Sequence, residues 1–209
     1  MTATAEPASI WRSTTIRDIR ALERLRQRGG SLRRLALVLG PAATPLLLLL
    51  LALPNAIPVG PPGTGFAFAL PIAVLAPALL RPRPRLALPA WLARRQINSE
   101  QLQRLLPALD RLLALIERFG RPRLMGWLDP GRRLLMVGMI VLMALLIFAP
   151  LPTGNPPAAV SIMVFAAGLL RQDGLLVLAG HVIGLLALAW NVLVAVLIFV
   201  LGVQVWSLF

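Results

Sequence analysis

The chain contains no cysteine, no tyrosine and no lysine, and His181 is its sole histidine. Without cysteine, disulfides, thiolate catalysis and cysteine-based metal sites are excluded. Charge is missing over long distances as well: residues 35–80, 134–170 and 174–209 hold no Asp, Glu, Lys or Arg. Glu100, Asp110, Glu117 and Asp129 all stand among arginines, as on a solvated face. No metal-ligand cluster, nucleophile–base pair or isolated carboxylate pair is visible. That predicts a protein that is not an enzyme, with no catalytic, cofactor-binding or metal-binding residues.

What is present is apolar surface punctuated by arginine. The composition is 58% hydrophobic with a mean hydropathy of +0.80, well above that of an average soluble chain. A net charge of +13 in a soluble protein points to nucleic acid. Here eight arginines fall between Arg12 and Arg34, twelve between Arg81 and Arg133, and one is Arg171. Each group flanks an uncharged run, so the positive-inside rule accounts for them and no nucleic-acid partner is expected. Membrane lipids with anionic headgroups are the expected partner.

One construction occurs twice: an arginine pair, an apolar run, a Pro-x-Gly turn, a second apolar run, and Leu-Leu-Arg. The first copy runs from Arg33-Arg34 through Pro58-Val59-Gly60 to Leu79-Leu80-Arg81, the second from Arg132-Arg133 through Pro152-Thr153-Gly154 to Leu169-Leu170-Arg171. Duplicated apolar hairpins with arginines at their feet are a membrane architecture. The expected fold is all-α: a polytopic helical membrane protein with two repeated Pro/Gly-turn hairpins plus amphipathic surface helices.

The expected order is a basic tail and amphipathic helix (1–32), a first membrane hairpin (33–81), a basic cytoplasmic linker (82–133), a second hairpin (134–171) and a C-terminal membrane segment (174–209). In the tail, Ile16, Ile19, Leu22 and Leu25 recur at helical spacing among arginines. In the linker, Leu102, Leu105, Leu106, Leu109, Leu112, Leu113, Ile116 and Phe119 hold one face of a helix over about 98–120. About 34 mostly polar residues precede the first apolar run, which predicts no cleaved signal peptide. Runs 134–149 and 157–170 are only about 24 and 21 Å long as helices, short for independent spans, so full crossing and partial re-entry both stay open. Residues 174–209 would form a helix of about 54 Å, which argues against one straight span. A break near Trp190-Asn191, or a single tilted span emerging at Val203-Gln204-Val205-Trp206, meets that length.

Gly60-Pro61-Pro62-Gly63-Thr64-Gly65 copies the glycines of a phosphate-binding loop, but Phe66-Ala67 replace the required Lys and Ser/Thr, so it reads as a turn. His181 is the one titratable side chain inside a long apolar run, in Gly180-His181-Val182-Ile183-Gly184. Gly180, Gly184, Ala187 and Asn191 share about 60° of the helix surface, with His181 about 60° beyond Gly184. His181, Asn155 and Asn191 are the candidate intramembrane polar site. A neutral histidine hydrogen-bonding a neighbouring helix is the expected state, ahead of a proton-sensitive point. Asn155, with Pro71 and Pro77 freeing the carbonyls of Ala67 and Ala73, either lines a cavity or belongs to rigid external loops. Pro58, Gly60, Pro152, Gly154, Asp173 and Gly174 form the candidate hairpin motif. Asp173 is expected to pair with Arg171 or a central-block arginine, as an exposed pair contributing about 0–1 kcal/mol.

The string Pro152-Thr153-Gly154-Asn155-Pro156-Pro157-Ala158, continuing to Gly168-Leu169-Leu170-Arg171-Gln172-Asp173-Gly174, resembles the ExoD family of exopolysaccharide-synthesis proteins. The first hairpin, followed by Leu88-Pro89-Ala90-Trp91-Leu92-Ala93-Arg94-Arg95, fits the family's other half, so the resemblance covers roughly residues 30–200. Two positions depart from the family pattern: Pro77 stands where a glutamine is common, and Leu88 where tryptophan is common. The resemblance implies an integral protein of the bacterial inner membrane tied to exopolysaccharide production and, in some members, to alkali tolerance, but no established molecular activity or catalytic residues. The arginine placement and the lack of a site add the expectation of a multi-pass chain, N-terminus cytoplasmic, that supports exopolysaccharide synthesis or export without catalysing a reaction. Polysaccharide-assembly membrane proteins are the implied partners, and homo-oligomers are compatible. The alternative is a small transporter or lipid-handling protein whose path lies between the hairpins near Asn155 and His181.

Overall fold

The computed structural model describes residues 30–31, 42–57, 64–80, 96–97, 123–149, 151 and 153–206. The two expected amphipathic helices, Pro58, Gly60 and Pro152 lie outside them. The chain divides into two units. In the first (Met1–Ala43 with Arg85–Leu113), β1 (Gly30–Ser31) pairs antiparallel with β2 (Gln96–Ile97), Gly30 opposite Ile97 and Ser31 opposite Gln96. The second comprises Thr44–Pro84 and Ala114–Phe209 and holds almost all of the described helix. Apart from the two-residue strands and an isolated bridge, the regular structure among the described residues is helical, and the class is all-α.

Helix α1 (Ala43–Ala52) is built on a leucine run and tightens into a 3₁₀ turn at Leu53–Ala56. Pro54 brings no amide to the helical ladder, which favours that tighter turn. Helix α2 (Thr64–Leu75) continues through Pro71 and likewise ends in a 3₁₀ turn, Ala76–Leu80, around Pro77. After a further 3₁₀ turn at Met125–Leu128, α3 runs from Pro130 to Phe148. It starts before the apolar run because Pro130 has a backbone angle suited to the first helical position. Arg132 and Arg133 therefore lie within its first turn rather than ahead of it.

Helix α4 (Asn155–Arg171) opens on Pro156-Pro157 and closes on Gln172, held at φ 53°. The amide of Asp173 donates to Gly168 O at 2.8 Å and that of Gln172 to Leu169 O at 3.4 Å, the paired bonds of a Schellman cap. Helix α5 then runs unbroken from Gly174 to Trp206, about 50 Å. The break considered near Trp190-Asn191 does not occur. The segment has no proline, and Asn191 Nδ2 donates to Ala187 O at 2.8 Å within the same helix.

The core forms where α4 packs along α5, α3 crosses α2 and α4, and the Leu53–Ala56 turn rests on α4. Among the described residues, α2 packs mainly on α3. Leu48, Leu49, Ile72, Leu75, Met136, Ile140, Met143, Ile147, Ile162, Phe165 and Val177 are fully buried. A methyl group added at Gly180 would come within 2.8 Å of the Phe165 ring, so hydrogen at this position lets α5 lie close on α4. The exterior is also apolar: Leu186, Leu193, Phe199 and Val203 are all exposed. Among the described residues, two helices, Pro130–Phe148 and Gly174–Val205, are long and apolar enough to cross a membrane.

Candidate functional site

The elbow between α4 and α5 is tied to the chain just before α3. The amide of Gly174 donates to Arg123 O at 2.7 Å, and Arg123 Nε lies 3.5 Å from Asp173 Oδ2. Asp173 Oδ1 accepts the amide of Leu175 at 3.0 Å, which makes Asp173 the N-cap of α5. The expected pairing with a central-block arginine is present, but it is not an exposed pair. Asp173 is fully buried while the Arg123 side chain remains 48% exposed. Gly174 packs so tightly on Leu124 O that any side chain would collide with that carbonyl.

About two helical turns into α5, His181 Nδ1 lies 2.9 Å from Val177 O. A carbonyl only accepts, so Nδ1 is the donor in this bond. Nε2 is buried and meets no donor or acceptor among the described residues. The expectation of a bond to a neighbouring helix is corrected: the bond stays within α5, because the α4 side chain at this level is Phe165. The two rings meet edge to face, centroids 4.8 Å apart. Trp127 closes the other side at 5.8 Å and carries the Arg132 guanidinium 4.8 Å from its own ring centroid.

Farther along α5, two adjacent residues hold the loop between α3 and α4. Trp190 Nε1 donates to Thr153 Oγ1 at 3.3 Å, and Asn191 Nδ2 donates to Gly154 O at 3.3 Å as well as to Ala187 O. Gly154 lies against the Asn191 carboxamide so closely that a β-carbon there would overlap Oδ1. Asn155, the next residue, begins α4, and its Nδ2 stands 3.1 Å from where a β-carbon on Gly65 of α2 would sit. The side-chain oxygens of Asn155 and Asn191 are both buried without a hydrogen-bond donor among the described residues.

Asn155, Asn191 and Gly154 thus share one junction, and Asp173 with Gly174 forms another. His181 belongs with neither, about 15 Å along α5 from Asn191. The three residues of the candidate polar site are not a single constellation. The sequence marks Arg132 as half of an arginine pair and Arg123 as one of the central-block arginines, but it does not single out Trp127 or Phe165. Only the Arg123-Leu124-Met125-Gly126-Trp127 string near the arginine pair carries a signal for Trp127, an aromatic residue next to cations at the edge of an apolar run. Arg123, Arg132, Arg133 and Arg171 collect at one end of α3 and α4, while the described residues at the other end are uncharged.

The family model for exopolysaccharide synthesis, ExoD, matches residues 13–193. Protein ExoD of Rhizobium meliloti (strain 1021) is 31% identical over 160 residues, covering 72% of this chain and 64% of that protein. An uncharacterized protein of Synechocystis sp. is 29% identical over 142 residues, covering 68% of this chain and 67% of its own. The matched region thus spans about two thirds of the length of these curated relatives. No solved structure matches the chain. On the extent of the family match, the chain belongs to the ExoD family.

Proposed function

We propose that this protein is an integral component of the bacterial inner membrane that supports exopolysaccharide synthesis or export as a scaffold rather than as an enzyme. The observation that carries the membrane part is α5: a charge-free helix of 33 residues whose stretch 195–205 is exposed all round and, apart from Gln204, apolar. Left in water, such a surface would drive aggregation; in lipid it is matched by hydrocarbon. A tilt of about 25° fits its length of about 50 Å within the roughly 45 Å of a bilayer with its headgroups. Gln204 and Trp206 then reach the far interface. The arginines at the foot of α3 and α4 face the cytoplasmic leaflet and its anionic lipids. The family match supports the polysaccharide role, with other polysaccharide-assembly membrane proteins as partners.

Deleting the gene should lower exopolysaccharide output and the wild-type chain should restore it, with all of the protein in carbonate-resistant membranes. The cysteine-free sequence makes single-cysteine labelling direct. A cysteine at Ser99 should react from the cytoplasm and one at Thr153 from the periplasm. A product that is monodisperse in water without detergent rules the reading out, as does labelling of both cysteines from one side together with proof that α3 and α4 cross the lipid.

A further inference from the structure

Trp127 is held in place within the 3₁₀ turn ahead of α3. Its amide donates to Leu124 O at 3.0 Å, and its ring packs against His181 of α5, centroids 5.8 Å apart. Arg133 Nε donates to Leu128 O at 2.8 Å, which ties the same turn to α3. On this steadied ring lies the Arg132 guanidinium, 4.8 Å from the centroid. A guanidinium over a ring offers its face to the π system and keeps its N–H donors at the rim. Arg132 is exposed, and among the described residues no carboxylate pairs with it. It is therefore a cation presented in one place, with donors open to a ligand from outside the chain.

Hydrocarbon flanks it on the α3 side. Leu135 stands one turn farther along the helix, on the same face as Arg132, with Leu134 beside it, and each is 63% exposed. The rise from Arg132 to Leu135 is about 4.5 Å. Leu124 and Met125 are exposed next to Trp127. A soluble anion gains nothing from such a flank, whereas a phospholipid carries acyl chains close behind its phosphate. Tryptophan and arginine are also residues that settle at headgroup depth. One carboxylate opposes the site. Asp129 Oδ2 and Arg132 Nη1 each lie 3.8 Å from where a β-carbon on Gly126 would sit, yet no ion pair joins them among the described residues. Asp129 makes no side-chain capping bond to α3 either, so its charge weakens the site without filling it or holding the helix. We propose that Arg132, steadied by Trp127, binds the phosphate of an anionic phospholipid whose acyl chain lies on Leu134 and Leu135. Such a site rests on the membrane placement proposed above, and differs from diffuse attraction in being lost with one residue.

The test uses the full chain in nanodiscs, with Trp11, Trp91, Trp190 and Trp206 replaced by phenylalanine so that Trp127 is the sole tryptophan. Lipids brominated on the acyl chain quench its fluorescence on contact. Brominated phosphatidylglycerol or brominated phosphatidylcholine is raised in a phosphatidylcholine background. Quenching by the anionic lipid should reach its midpoint at a mole fraction at least about fivefold lower, the effect of one arginine at a membrane surface. Arg132→Gln should bring the two lipids to the same midpoint. Arg171→Gln, which removes the same charge from the foot of α4, should move the anionic midpoint by less than about twofold. Asp129→Asn should lower that midpoint by at least about twofold, and it carries the decision if Arg132→Gln fails to fold. Excess glycerol phosphate should not displace the brominated lipid. Equal quenching by both lipids in a chain that has entered nanodiscs overturns the site and leaves the membrane placement standing. Equal loss of preference in Arg132→Gln and Arg171→Gln overturns it in favour of diffuse attraction. Displacement by glycerol phosphate overturns it in favour of a soluble anion. A chain that does not enter nanodiscs at all overturns the membrane placement and the site together.

Discussion

Arg123 and Asp173 meet through both backbone and side chain: Arg123 O accepts the amide of Gly174, and its guanidinium reaches the buried Asp173 carboxylate. The same carboxylate caps α5 through Leu175. A single acidic residue therefore links the chain entering α3 to the turn leaving α4.

Replacing Asp173 separates these two roles. Asp173→Ala removes the cap and leaves the guanidinium without its carboxylate, at an expected cost of about 1–3 kcal/mol. Asp173→Asn keeps a capping oxygen and should cost about 1 kcal/mol less. Chemical unfolding in a mild detergent ranks the two. If Ala and Asn prove equally damaging, the capping bond is not the main contribution.

Glycines at the elbow and on the open helix surface should respond in opposite directions. Gly174→Ala drives a β-carbon into Leu124 O and should destabilise strongly. Gly138→Ala and Gly202→Ala meet nothing within 4 Å and should stabilise by about 0.5–1 kcal/mol each, since alanine is the better helix former. Melting temperatures of the three variants check this.

The contact of Gly180 with Phe165 should show as coupling between two substitutions. Gly180→Ala alone forces the ring aside and should lower the melting temperature. In the double variant with Phe165→Leu, the penalty of the alanine should shrink, with a coupling of about 0.5–3 kcal/mol in a double-mutant cycle. Strict additivity would mean that the two helices do not approach as closely as the structure shows.

Charge placed on the outer surface of α5 tests its lipid contact by depth. Leu193→Arg, in the middle portion of the helix, should reduce membrane insertion, with a penalty of about 2.5–3.5 kcal/mol. Val203→Arg, near the end, should be tolerated because the long side chain reaches the interface. Comparable carbonate-resistant fractions for both variants would argue that α5 is not lipid-facing.

Anionic-lipid binding should reside in the arginines of the linker. Because Arg123 holds Asp173, the informative set is Arg111, Arg118 and Arg121 replaced by glutamine. Flotation of the 96–124 peptide with anionic vesicles should fall in this triple variant and should be salt-sensitive in the wild type.

Sequence pattern carried the all-α class, the uncharged runs and the arginines at their feet, because hydropathy and helix preference are properties of neighbouring residues. It also marked Asn155, Asn191, Asp173 and Gly174 as unusual, since polar or turn-forming residues stand out against leucine and valine. It left α5 between one segment and two: length argued for a break, whereas the absence of proline and the in-helix bond of Asn191 to Ala187 keep the helix whole.

Tertiary structure decided which of these residues meet. Asp173 is buried because Arg123 arrives from the far end of the linker. His181 turns to its own helix because Phe165 and Trp127 present rings rather than polar atoms. Asn191 faces Gly154 because α5 lies antiparallel on α4 at a depth set by glycine and the Phe165 ring. Such meetings depend on the distance between helix axes and on their relative rotation, and neither quantity is written in the periodicity of any one segment.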